Sequence, residues 1–233
     1  LRPSDGSYLF NENPPVSIRR CLPSTGQGRS PHERAPKPAL HLLLIVSRPE
    51  GAAFVNPRSE AEAVLDAIEQ QEQVRAEVEF LRPATLDALR KRLRDERRPK
   101  VDIIHFDGHG TFASKSSWSS DRVGKFITDS SATADKKQGW LLFEDEEGGN
   151  KLVSAKVLGE LLYRNHASLV VLSSCGSSEM NSTNVMNGYS AQMLYAGLPA
   201  VIVMTHNVLV ATAEQLFAEF YRSLFQGRTV ARS

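Results

Sequence analysis

The chain has 233 residues, 41% hydrophobic and 24% charged, which is enough sequence of ordinary globular composition for one large domain. Its 28 Lys and Arg against 27 Asp and Glu leave a net charge of +1, which argues against the basic footprint of a direct nucleic-acid binder. No apolar run approaches the ~18 residues of a spanning helix, and residues 1–30 carry no signal-peptide pattern, so no membrane partner is expected.

Residues 1–38 hold seven of the twelve prolines, with Gly6, Gly26 and Gly28, and no sustained periodicity. They read as a proline-rich linker or arm preceding a domain over 39–233. Cys21 and Cys175 are the two cysteines, too few for a disulfide framework. A reducing cytoplasm is the expected setting, with Cys21 exposed in the arm. The chain opens without Met and ends in RTVARS, which reads as the start of another helix. A piece of a larger protein, truncated at its C-terminus, is expected.

Ala39 to Val46, ALHLLLIV, is the first predicted strand. Ser59 to Gln70 follows as a helix, with Ala61, Val64, Leu65 and Ile68 at helical spacing. Val74 to Leu81 alternates like a strand. Pro83 is expected to start a helix through about Asp95, with Leu86, Leu89 and Leu93 on one face. Its other face, Arg90, Lys91, Arg92, Arg94, Arg97 and Arg98, reads as solvated.

Val101 to Gly110, VDIIHFDGHG, begins as a buried strand and ends in His105, Asp107 and His109. Glycines on both sides place His109 on a turn at the carboxyl end of that strand. Residues 113–138 are long, polar and serine-rich, the kind of loop that serves function in a compact domain. Gly139 to Phe143 and Lys151 to Val153 read as a hairpin around EDEEGGN, and Ser154 caps a helix to about Asn165.

Ser168 to Ser178, SLVVLSSCGSS, organises the rest. Its apolar run reads as a strand buried on both faces, and the small residues after it permit a sharp turn with accessible backbone N–H groups. Cys175 therefore stands where sites form in open parallel sheets, outside the carboxyl ends of the strands. Residues 179–187 read as a polar loop, Gly188 to Ala196 as a short helix and Pro199 to Met204 as a third such strand. Val208 to Phe225 reads as an amphipathic helix packing Leu209, Leu216, Phe217, Phe220 and Leu224 on the sheet. The alternation predicts an α/β sandwich of three layers, a mainly parallel central sheet with helices on both faces.

Cys175 and His109, 66 residues apart, stand at matching ends of two strands. If those strands are neighbours, about 4.8 Å separates them, the geometry a thiolate–imidazole pair needs. Cys175 is the candidate nucleophile and His109 the general acid/base. The backbone N–H groups of Gly110 and Gly176 are the candidate oxyanion donors. HFDGH could also be read as metal ligation by His105, Asp107 and His109. The glycine turn and the one cysteine at the paired strand ends favour a Cys–His nucleophilic pair, with no metal or cofactor, and leave His105 structural inside its strand. A nucleotide-binding domain is disfavoured because neither GxGxxG nor GxxxxGK[ST] occurs.

HFDGHG followed by VVLSSCGSS resembles the His and Cys boxes of the CHAT domain family, caspase-like cysteine peptidases in the clan of caspases, separases and metacaspases. The likeness runs through GWLLFEDEEGG, SAKVLGELLYRN and AGLPAVIVMTHNV, over about Ala39 to Arg232. It implies the caspase-like fold, the same roles for Cys175 and His109, and a cysteine endopeptidase acting on a protein substrate. It also implies a bacterial setting, CRISPR-associated defence or programmed death among the options, with a sensor or partner domain in control. In caspase-like folds the position two before the nucleophile lines the primary specificity pocket. Here it is the neutral Ser173, where enzymes that cut after Arg or Lys carry an acid. Asp107 could supply that acid, and Thr205 and His206 complete the expected pocket. The alternative is a catalytically silent caspase-like interaction module.

Overall fold

A computed structural model describes residues 37, 39–52, 56–114, 126–127, 137–173, 182–204 and 210–230. Nearly continuous apolar runs form the central sheet, because a strand covered on both faces has no solvent side to alternate with. β1 (Ala39–Val46) lies between β2 (Arg75–Phe80) and β3 (Ile103–Asp107). β8 (Leu169–Ser173) follows β3 in space and β9 (Ala200–Val203) forms the far edge. All four pairings are parallel. The chain is a mixed α/β sandwich, as the alternation of elements predicts.

The period of two along each strand divides the core. Leu42, Leu44, Ile103, Leu169 and Val171 face α1 (Ser59–Glu69) and α5 (Val210–Phe225). Leu43, Ile45, Ile104, Phe106, Val170 and Leu172 face the opposite layer. That layer comprises α2 (Leu86–Arg94), α3 (Ala155–Arg164) and α4 (Ser182–Tyr195). A second sheet completes it, built from β4 (His109–Ala113), β5 (Phe126–Ile127), β6 (Gln138–Glu144) and β7 (Asn150–Ser154) in the order β4-β6-β7-β5. The expected hairpin is β6 and β7, antiparallel from Trp140 opposite Ser154 to Glu144 opposite Asn150. As expected, the Ser154 hydroxyl caps α3 by accepting from the Val157 N–H at 3.2 Å.

Several expectations are corrected. The second helix starts at Leu86, not Pro83, because Thr85 is its cap and accepts from the Ala88 N–H. The Ala84 N–H just before it is taken by Glu144 Oε2. Arg92 is not on a solvated face: it is buried, with Nε on Glu79 and Nη2 on the Pro99 carbonyl. His109 does not sit on a free turn but opens β4, in register with Leu142 of β6. Within the stretch expected to be a loop after it, Phe126 and Ile127 pair with Leu152 and Val153. The helix expected at Gly188 begins six residues earlier, at Ser182. Gly188 lies inside it because a Cβ there would stand 2.4 Å from the Phe112 ring. On α5, Phe217, Phe220 and Leu224 are buried, whereas Leu216 is 50% exposed. It lies one residue, about 100° of helix, from Phe217.

Candidate active site

β3 and β8 are adjacent and parallel, and their last residues, Asp107 and Ser173, are register partners. The sequence condition that the two strands be neighbours is therefore met. His109 is two residues beyond Asp107, and Cys175 two beyond Ser173. Between Asp107 and His109 the chain passes from the central sheet into the second sheet. Gly108 makes that step, since a Cβ there would lie 2.7 Å from the Phe106 ring and 3.3 Å from Ser47 Cβ. The Gly108 N–H donates to the Ser173 carbonyl at 3.4 Å. Gly110 is inside β4, opposite Leu141. Cys175, Gly176, Thr205 and His206 lie outside the described residues, as do Cys21 and most of the arm.

The platform under His109 is tied from three sides. The Trp140 indole N–H donates to the Ala113 carbonyl at 3.0 Å, closing the end of β4 onto β6. The Trp140 carbonyl accepts from the Tyr189 hydroxyl at 3.1 Å, which brings in α4. Burial holds that phenol protonated by pushing it well above its ordinary range. Ser47, just past β1, donates from Oγ to the Leu142 carbonyl at 2.7 Å and from its N–H to the Asp107 carbonyl at 2.9 Å.

Asp107 is buried, and both its oxygens are engaged by Arg48, at 2.8 and 2.7 Å from Nη2. Arg48 Nη1 also donates to the Asp107 and Ser47 carbonyls, and the Arg48 N–H to Glu144 Oε1. Burial raises the Asp107 carboxyl above its ordinary value, the Glu60 charge adds to the rise, and Arg48 opposes it. A substrate cation would reach this carboxylate only by displacing Arg48.

On the α1/α5 face runs a chain of buried polar groups that sequence reasoning missed. Tyr221 of α5 faces His105 Nδ1 at 2.9 Å, and His105 Nε2 meets Glu60 Oε1 at 2.6 Å. The Ser173 hydroxyl donates to Glu60 Oε2 at 2.5 Å. His105 is 1% exposed and Tyr221 0%, so His105 is a structural residue inside its strand. Burial, and then the Glu60 charge, push the Tyr221 hydroxyl well above its usual range. The one signal available beforehand was Glu60 itself. It lies four residues before Val64 on the apolar stripe of α1, where a carboxylate needs a partner. Among the described residues no group of three His, Cys, Asp or Glu side chains could hold a metal ion, and no helix is long and apolar enough to cross a membrane.

No curated protein matches this sequence. The family model for the CHAT domain matches residues 2–233, essentially the whole chain, in agreement with a mainly parallel sheet between helical layers. The chain belongs to the CHAT domain family.

Proposed function

We propose that this protein is a cysteine endopeptidase that cleaves a protein substrate with Cys175 as nucleophile and His109 as general acid/base. The observation that carries the reading is the register of Asp107 with Ser173, which sets the two residues equal chain distances beyond a fixed pair on neighbouring strands. A free thiol has a pKa of about 8.5, and a nearby imidazole takes its proton to give the thiolate. The thiolate adds to the scissile carbonyl carbon. The imidazolium then protonates the leaving amine as the C–N bond breaks, and water hydrolyses the resulting thioester. The backbone N–H groups of Gly110 and Gly176 are the proposed donors to the oxyanion, each worth about 100- to 1000-fold in rate. The proposed pocket is Ser173 with Thr205 and His206, and with Asp107 behind it. A thiolate nucleophile suits a reducing cytoplasm. Control by a sensor or partner domain, in bacterial defence or programmed death, belongs to the same reading.

The test compares new protein N-termini across a bacterial proteome exposed to the chain or to Cys175→Ala. Cleavage sites present with the first and absent with the second are expected. Identical N-termini, together with a Cys175 inert to electrophilic peptides, would leave a binding module instead.

A further inference from the structure

The cations on α2 and just after it fall into two classes. Most are neutralised within the chain. Arg92 and Arg98 share Glu79, Arg90 pairs with Asp87 at 3.0 Å and Arg97 with Asp95 at 3.1 Å. Lys91 and Arg94 of the helix are exposed and meet no carboxylate among the described residues. Both line an outward-facing hollow of about 520 Å³, together with Asp87, Arg90, Asp95 and Arg97. Four cations there face two carboxylates, and Lys151 Nζ takes a further share of Asp87 at 3.1 Å. The hollow keeps an excess of positive charge that the chain itself does not offset. A basic last turn complements the helix dipole, but that effect requires no hollow. The amino end of α2 is tied to the candidate site, since the Ala84 and Arg48 N–H groups share the Glu144 carboxylate. The helix then runs about 13 Å, at ~1.5 Å per residue, and the chain leaving Asp95 enters β3 from its amino end. A ligand on Lys91 and Arg94 therefore leaves the carboxyl ends of the strands open.

We propose that this hollow docks an extended acidic segment of a partner protein, whose alternate carboxylates meet Lys91 and Arg94. Spacing supports that form. Residues three apart on a helix face are about 5–6 Å apart, and alternate residues of an extended strand about 6.5 Å. Asp or Glu at every second position thus presents both carboxylates from one side of the segment. The Arg94 guanidinium takes one with two parallel N–H bonds, and the Lys91 ammonium takes the other as a point charge. A nucleic acid is the weaker match. Two unpaired cations fall far short of roughly 6–10 phosphate contacts, and the whole chain carries only +1. Neither cation belongs to the candidate site, so the docking is independent of the peptidase reading.

The probe is a fluorescein-labelled peptide alternating glutamate and serine, compared with the same peptide carrying glutamine for glutamate. Fluorescence anisotropy at low salt follows binding to the parent chain, to Lys91→Glu with Arg94→Glu, and to Lys156→Glu with Arg164→Glu. The last pair makes the same change in net charge on α3. The glutamate peptide should bind the parent chain and the α3 variant alike. It should bind the α2 variant about tenfold or more weakly, since each exposed ion pair is worth up to about fivefold and reversal adds repulsion. Physiological salt should weaken binding to the parent chain. A carbodiimide, which joins a carboxylate to an amine, should cross-link the peptide to Lys91 of the parent chain. That measurement reads the site even if a variant does not fold. No binding of the glutamate peptide, equal binding of the glutamine peptide, equal loss in both variants, or cross-links confined to other lysines overturns the inference. Tighter binding of an oligothymidylate that the α2 variant loses would put a nucleic acid in the hollow, and overturns it too. So does self-association of the parent chain that the α2 variant abolishes, which would put a second copy there.

Discussion

Arg48 grips both carboxylate oxygens of Asp107, at 2.8 and 2.7 Å, where β1 and β3 reach the candidate site. The arginine side chain is 17% exposed and the aspartate 8%, so solvent screens the pair weakly. Removing one partner of such a pair strands a buried charge. Arg48→Ala should therefore destabilise the chain by about 3–5 kcal/mol, read from urea unfolding. Adding Asp107→Asn to Arg48→Ala should recover part of the loss, because a neutral amide needs no counterion. A loss under 1 kcal/mol on the order of an exposed pair would mean the guanidinium is solvated instead.

The same carboxyl gives a pH dependence. Its folded value is raised, by burial first and by the Glu60 charge second, so the folded chain holds the proton more tightly than the unfolded one. The stabilising contribution is present below the unfolded value of about 3.9 and is lost as pH rises through the folded value. Relative to Asp107→Asn, the parent chain should lose stability as pH rises from about 3.9 through the folded value in denaturant titrations. A difference that grows with pH would mean Arg48 outweighs burial.

For the proposed chemistry, Cys175→Ala and His109→Ala should each abolish cleavage while unfolding at the parent midpoint. Cys21→Ala should cleave at the parent rate. Peptide turnover and circular dichroism on the same samples separate lost chemistry from lost fold. Cleavage persisting in Cys175→Ala would remove the nucleophile assignment.

Asp107 also separates two ways of reading a basic pocket. With both its oxygens on Arg48, Asp107→Asn should lower turnover of lysine and norleucine substrates in equal proportion. A selective loss on lysine would show the substrate competing with Arg48 for the carboxylate.

Neighbouring residues of α5 offer a control on the fold. Phe217 is 1% exposed and Leu216 is 50% exposed. Phe217→Ala should cost about 3–5 kcal/mol through the cavity it leaves. Leu216→Lys should stay within about 0.5 kcal/mol, as a surface change does. Both are read from thermal or urea unfolding. A large loss in Leu216→Lys would mean that face is covered in solution.

By itself the sequence determined the layers and the ends of the key strands. The runs ALHLLLIV and SLVVL could be satisfied only by burial on both faces, which requires a parallel sheet between helices. Ser154 before an apolar helical stripe was a cap by its own local chemistry. His109 and Cys175 could be paired because each follows such a strand after a short, countable interval. Tertiary structure alone decided what meets those ends. Periodicity reports that a residue is buried and is silent about what buries it. Hence Arg48 on Asp107, 59 residues apart, and Glu60 under Ser173, 113 apart, were invisible. His109 opens a strand because β6 stands ready to pair with it, through Leu142, 33 residues further along the chain. Leu216 looked like core because adjacent apolar residues share a sequence stripe, but a helix turns about 100° per residue and α5 gives the sheet only one of the two.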